Sequence, residues 1–256
     1  MIAGFFQPFF AGIFLEEKLH TSSRMFEFIY KMFSKGHAAI PRKGMQAIPD
    51  QLTSQLNKTN IRLNSQVKHI KDKTITLDSG EKIIADNIVI ATDPSLFLEN
   101  HKKSQVKWKT CHNIYFSSSH NTFGDPIISL IPGKGISINN IHFLDDLFES
   151  TTNTKQTILS TTVVKDHELT EEEMVLQVQK ELREYCNIET DEVLHIFHIK
   201  KALPMLQDLK YEPTLESATL SADIFCCGDH LANGSLNAAM ASGRIAAELV
   251  ISNNSY

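Results

Sequence analysis

The sequence predicts an α/β chain, α+β overall, in which an incomplete doubly wound domain is interleaved with a mixed-sheet domain. Three observations carry that prediction. A short apolar run from Ile224 to Cys227 stops at Gly228-Asp229 and gives way to a helix of small residues. A second apolar run, Ile88 to Ile90, follows a helical pattern and a small antiparallel excursion, as expected for a buried parallel strand. Between the two lies a long region of alternating Ile, Thr, Val and aromatic residues with one helical stripe.

At 256 residues and 42% apolar content, the chain can build one large core or two small ones. Its 25 basic and 30 acidic side chains leave a net charge of -5, which argues against a nucleic-acid partner. The four cysteines, Cys111, Cys186, Cys226 and Cys227, have neither metal-site nor disulfide spacing. That usage fits a reducing, cytoplasmic compartment. The string CCGDH suggests a metal or thiol site at Cys226, Cys227 and His230, but adjacent cysteines at a buried strand end read more simply as small core residues.

The first stretch, residues 1–39, is helical and crowded with aromatic residues: Phe5, Phe6, Phe9, Phe10, Phe14, Phe26, Phe28 and Phe33. No basic residue precedes Lys18, so the run does not read as a signal peptide, and Pro8 and Glu16 cut it short of a membrane span. Two readings stay open: ordinary core helices, or the wall of an apolar substrate tunnel. Residues 40–92 begin with Gly44 and a helix whose apolar positions are Met45, Ile48, Leu52 and Leu56, with Pro49 in its first turn. Val67 and Ile70 open a strand, Ile75 and Leu77 alternate with polar residues, Asp78 to Gly80 supply a turn, and Ile83 and Ile84 return.

Residues 93–211 read as strands at Lys107 to Ser117, Ile127 to Ile131, Ile136 to Phe143, Thr157 to Val164 and Glu192 to Lys200. Thr170 and Glu173 form a capping box that opens a helix running to about Cys186. Residues 212–256 carry the Gly-Asp turn and a final helix, opened by Gly234 and Ser235. Its inward positions are read as Leu236, Ala239, Met240, Gly243, Ala246, Ala247 and Val250. Asp229 stands where ligands bind in open α/β sheets, at a strand's carboxyl end, and the helix start offers free amides to a phosphate or an electron-rich ring.

The tail, with Gly228, Asp229, Gly234, Ser235, Asn237, Ala239, Ser242, Gly243, Ala246 and Ala247, resembles the C-terminal FAD-binding segment of the flavoprotein amine oxidase and phytoene desaturase superfamily. The stretch from Pro41 to Thr92 is similar to that superfamily's second FAD-domain segment. The resemblance implies an FAD/NAD(P)-binding Rossmann-like domain interleaved with a substrate domain. It implies that Val67 meets the adenine by its backbone, that Ala91 and Thr92 lie near the cofactor, and that Asp229 contacts the ribitol or pyrophosphate. By the same resemblance Gly228 makes the turn, and Gly234, Ser235, Asn237 and Ala238 bring the helix start to the isoalloxazine. Ala238 is a departure, because many relatives carry glycine there.

The superfamily's G-x-G-x-x-G loop does not occur in the sequence; Gly133 and Gly135 lack the third glycine and precede a β-like run. The chain therefore reads as the C-terminal portion of an FAD-dependent oxidoreductase. The implied reaction is hydride transfer to flavin from an apolar, isoprenoid or lipid-like substrate. The alternative is a non-catalytic fragment, or a subunit completed by a separate chain that supplies the dinucleotide-binding half. A sheet without its central strands exposes an edge and apolar faces, which calls for such a partner. Peripheral contact with a membrane stays open as a further partner. No motif surrounds Lys107 or Lys109, so no catalytic residue is named.

Overall fold

The structure, a computed structural model, describes residues 1–98, 106–148, 157–164, 167–206 and 209–253. They form two compact units, each assembled from two stretches of chain: residues 1–57 with 109–203, and residues 58–108 with 204–256. The architecture is mixed α/β, with six α-helices and three sheets among the described residues.

The first unit is built on a five-stranded sheet of order β6-β7-β8-β5-β9. Its strands are β5 (Trp108–Ser118), β6 (Ser129–Leu130), β7 (Ile138–Phe143), β8 (Thr157–Val163) and β9 (Val193–Pro204). Alternate residues of β5, β7 and β8 point to one face, where Ile114, Phe116, Ile138, Ile141, Phe143 and Leu159 are almost wholly buried. Helix α4 (Glu171–Cys186) covers that face with Met174, Val178 and Leu182. The capping box is present: Thr170 accepts from Glu173 N, and Glu173 accepts from Thr170 N. The Ile127 to Ile131 strand shrinks to two residues, since the turn at Asp125-Pro126 leaves Ile127 and Ile128 exposed. Gly133 and Gly135 lie in the loop joining the antiparallel strands β6 and β7. Gly135 takes φ +81°, as a tight turn requires.

Helices α1 (Gln7–Phe14), α2 (Ser23–Lys35) and α3 (Ala47–Ser54) belong to the same unit. The aromatic residues of α1 and α2 interlock, with Phe10 against Phe26 at 4.5 Å and Phe9 against Phe33 at 5.3 Å between ring centroids. Phe10 and Phe14 are buried core; Phe26, Tyr30 and Phe33 stay partly exposed. An apolar cavity of about 190 Å³ lies beside α1, lined by Pro8, Ala11, Ile131, Pro132, Ile138 and Val164. The apolar stripe expected around α3 is not buried: Leu52 within the helix, and Met45 and Leu56 just outside its ends, are each about half exposed.

The second unit holds two small sheets. Strands β1 (Val67–Lys71), β2 (Thr74–Leu77) and β3 (Lys82–Ile84) form an antiparallel meander. Strands β4 (Ile88–Ile90) and β10 (Ile224–Cys226) pair in parallel. The short helix α5 (Leu215–Ala218) leads into β10, and α6 (Leu236–Asn253) follows it. The face of α6 matches the expected one at Ala246 and Val250 and departs from it elsewhere: Ala238 and Ser242 are buried, while Leu236 and Met240 are about half exposed. The contact is set by small residues and one hydroxyl at i, i+4 spacing, which a pattern of apolar bulk does not register.

Two consequences can be measured. Glu181 is buried on α4, and its carboxylate oxygens accept from Ser137 N, Ile138 N and Gln177 Nε2 at 2.8–3.0 Å. Glu181→Ala strands two backbone donors and is expected to cost roughly 2–4 kcal/mol in urea unfolding; a loss near zero would show those donors satisfied otherwise. Burial holds the His142 and His230 imidazoles below their ordinary value. On acidification the unfolded chain therefore takes up protons first, near pH 6.5. Stability is expected to fall as pH drops from about 7 through the lower folded values, by at most about 1.4 kcal/mol per pH unit for each histidine. His142→Gln should flatten the slope, read from denaturation midpoints at stepped pH.

Candidate functional site

The pairing of β4 with β10 aligns Ile88 with Ile224, Val89 with Phe225 and Ile90 with Cys226. Cys227 N closes the ladder by donating to Ile90 O at 2.9 Å. Ala91 and Thr92 thus leave β4 beside Cys227 and Gly228 leaving β10. Both strands end at the same rim, where parallel sheets present ligand sites. Ala91 and Thr92 are exposed there, and Asp229 is half-buried.

Gly228 is required on two counts. Its φ of +154° is unfavourable for a side chain, and a Cβ would stand 2.5 Å from Cε1 and Nδ1 of His230. Its N–H donates to Ser242 Oγ at 2.8 Å, and that hydroxyl donates to Ala239 O at 2.7 Å. One buried serine thus fixes the turn to α6. The turn closes as Ala232 N and Gly234 N both donate to Asp229 O.

Gly234, at φ +64°, redirects the chain into the helix. Ser235 Oγ caps it by accepting from Ala238 N at 3.1 Å and donates to Asn233 Oδ1 at 2.6 Å. The amides of Leu236 and Asn237 have no acceptor among the described residues. With the helix dipole behind them, they can hold an anionic or electron-rich group. Ala238 is buried, so it is Leu236 and Asn237 that face outward at the helix start.

Of the residues singled out from sequence, Ala91, Thr92, Gly228 and Asp229 share one rim, and Gly234, Ser235, Asn237 and Ala238 form the helix entry after it. Val67 stands in the meander, paired with Leu77. It packs on the apolar cluster of Ile70, Ile88, Ile90, Ile224 and Cys226 that supports both strands. Three residues outside the expected cofactor-binding set also shape the rim. Ser242 tethers the turn. Buried Asp93 accepts from Ser95 N and Ser95 Oγ. His230 lies over Gly228, and its Nε2 is buried with no hydrogen-bond partner. Burial pushes its imidazole toward the neutral form, against the pull of the Asp229 and Asp93 carboxylates. Nothing local in the sequence marks Asp93 or His230 as neighbours, because the strand pairing brings them together.

The rim carries no activated nucleophile. Burial raises the Cys227 thiol, and burial with the neighbouring Cys227 pushes Cys226 up to about 11. No group of three or more His, Cys, Asp or Glu among the described residues could hold a metal ion. A carboxylate, two free amides and an unpartnered ring nitrogen remain. That donor and acceptor set can meet hydroxyls, phosphate or an electron-rich ring edge.

The chain has the fold of part of an oxidoreductase from Methanosarcina mazei, with a TM-score of 0.73, 16% identity, and coverage of 95% of this chain and 64% of that one. A putrescine oxidase double mutant matches with a TM-score of 0.58 at 12% identity, over 84% of this chain and 54% of that one. A CLA-producing fatty acid isomerase from P. acnes matches with a TM-score of 0.54 at 12% identity, over 81% and 52%. The chain thus spans less than two thirds of the length of these proteins. No curated protein matches it at a significant level. Among the described residues, no helix is long and apolar enough to cross a membrane. The family model for flavin-containing amine oxidoreductases matches residues 1–251, and the chain belongs to that family.

Proposed function

We propose that this chain is the C-terminal portion of an FAD-dependent oxidoreductase that desaturates or dehydrogenates an apolar, isoprenoid or lipid-like substrate. The observation that carries the reading is the shared rim of β4 and β10 with the α6 entry beside it. On this reading Asp229 accepts from hydroxyls of the FAD, and the amides of Leu236 and Asn237 meet its electron-rich or anionic edge. His230 Nε2 supplies a further hydrogen bond at Gly228, and Val67 meets the adenine by its backbone. FAD supplies the hydride acceptor. The residues of the chain bind, orient and exclude water.

The apolar class of substrate is supported by the interlocked phenylalanines of α1 and α2 and by the cavity beside Pro8 and Ala11. The fatty acid isomerase among the structural matches acts on a substrate of that class, whereas putrescine oxidase acts on an amine. The rim offers Asp229 and neutral His230, not an activated nucleophile, as suits abstraction from a C–H bond in a dry site.

A second reading is favoured by coverage. The matched proteins extend well beyond the matched part, and the G-x-G-x-x-G loop does not occur in this sequence. The chain would then be a non-catalytic fragment, or a subunit that completes its site with a partner carrying the dinucleotide-binding half.

Titration with FAD, followed by flavin absorbance and fluorescence, tests the first reading. A saturable, stoichiometric complex is expected, and Asp229→Ala should weaken it roughly tenfold or more through loss of a charge-assisted hydrogen bond. Gly228→Ala should weaken it further, because the turn cannot keep its φ beside His230. A colourless chain, unchanged by FAD whether alone or with a supplied dinucleotide-binding half, would overturn the assignment. Binding only with that half would support the second reading.

A further inference from the structure

Three imidazoles meet in the unit of residues 1–57 and 109–203, none of them a residue of the strand rim. His112 stands on β5, on the same sheet face as Ile114 and Phe116. β9 runs beside β5, and its His198 stacks on His112 with ring centroids 4.2 Å apart and 25° between planes. His167, from the segment before α4, brings Nε2 to 3.3 Å from His112 Nδ1. The three rings line a cavity of about 290 Å³ with Glu171, Met174 and Leu169.

The separation of the two nitrogens is informative. Two imidazole nitrogens bound at about 2.0–2.1 Å to one tetrahedral ion stand about 3.3–3.4 Å apart. His167 Nδ1 is buried with no hydrogen-bond partner among the described residues. The two facing nitrogens share a hydrogen bond in which one ring donates to the other, and a bound metal ion would displace that shared proton. The Glu171 carboxylate lies within electrostatic reach of His112 and offsets part of an added positive charge.

We propose that His112 Nδ1 and His167 Nε2 bind a divalent late transition-metal ion, Zn²⁺ foremost, at the mouth of this cavity. No third protein ligand is in place among the described residues, so water fills the remaining positions. Imidazole selects Zn²⁺, Ni²⁺ and Cu²⁺ over Mg²⁺ and Ca²⁺, which prefer oxygen. His198 is a positioning residue: it stacks on His112 and holds the plane of its ring.

The test is calorimetric titration of the reduced 256-residue chain with Zn²⁺. One equivalent is expected to bind, His167→Ala should weaken it by about tenfold or more, and His69→Ala, an exposed control, should leave it unchanged. Equal affinity in the wild-type and His167→Ala chains would overturn the proposal. A second measurement needs no variant. Cu²⁺ added to the wild-type chain should give an electron paramagnetic resonance spectrum with splitting from two imidazole nitrogens. A sulfur-dominated spectrum, or one with a single nitrogen, would overturn it equally.

Discussion

The parallel ladder between β4 and β10 is the constraint on which the rest of the second unit depends. It is only three residue pairs long, yet it joins stretches separated by most of the other unit. The entropic cost of closing so long a connection rises slowly with length, about 0.6 kcal/mol for each doubling. The intervening chain is itself compact, which lowers that cost further. Burial of Ile70, Ile88, Ile90, Ile224 and Cys226 in one cluster provides the opposing gain. Parallel strands normally lie in sheets covered on both faces, and here Val89 stays 44% exposed. On that face α6 covers Phe225, and Val89 beside it is left open.

Everything at the rim follows from where that ladder stops. Cys227 is the last residue held by it, and Gly228 is the first that must turn. The turn would be loose without Ser242, whose hydroxyl receives Gly228 N from the buried face of α6. The small stripe of Ala238, Ser242 and Ala246 lets the helix come close enough for that bond. Close approach, turn and helix entry are therefore a single mechanical unit. Bulk at any of the three stripe positions would lift the helix and misplace Asp229 and the Leu236 and Asn237 amides together.

Local chemistry was legible in the sequence, and lateral placement was not. The capping box at Thr170 and Glu173, the meander turn at Gly80 and the strand end at Gly228 are all encoded within a few residues, and each stands where its residue types require. The face of α6 was legible as a pattern of apolar and small side chains, which found Ala246 but also pointed to Leu236 and Met240. Packing instead selected Ser242, because a hydroxyl that satisfies a backbone amide outweighs a methionine that water can also cover. The apolar spacing of α3 likewise shows no burial, since periodicity reports a face and not what lies against it. Asp93 and His230 became neighbours through the ladder, and His112, His167 and His198 through a five-stranded sheet; neither grouping has a signature in linear spacing.

The chemical inventory of the rim narrows what the chain can contribute to any reaction there. Its thiols are held protonated by burial, and its one imidazole is pushed toward neutrality in spite of two carboxylates. A site that protects neutrality in this way is arranged to hydrogen-bond a ligand, not to donate or withdraw protons near pH 7. Asp229 and the free amides at the α6 start present opposite polarities a short stretch of chain apart, which suits a long molecule bearing both hydroxyls and an anionic or electron-rich edge. For a member of the flavin-containing amine oxidoreductase family, that division of labour places the reactive electrons on the bound group and leaves geometry to the protein.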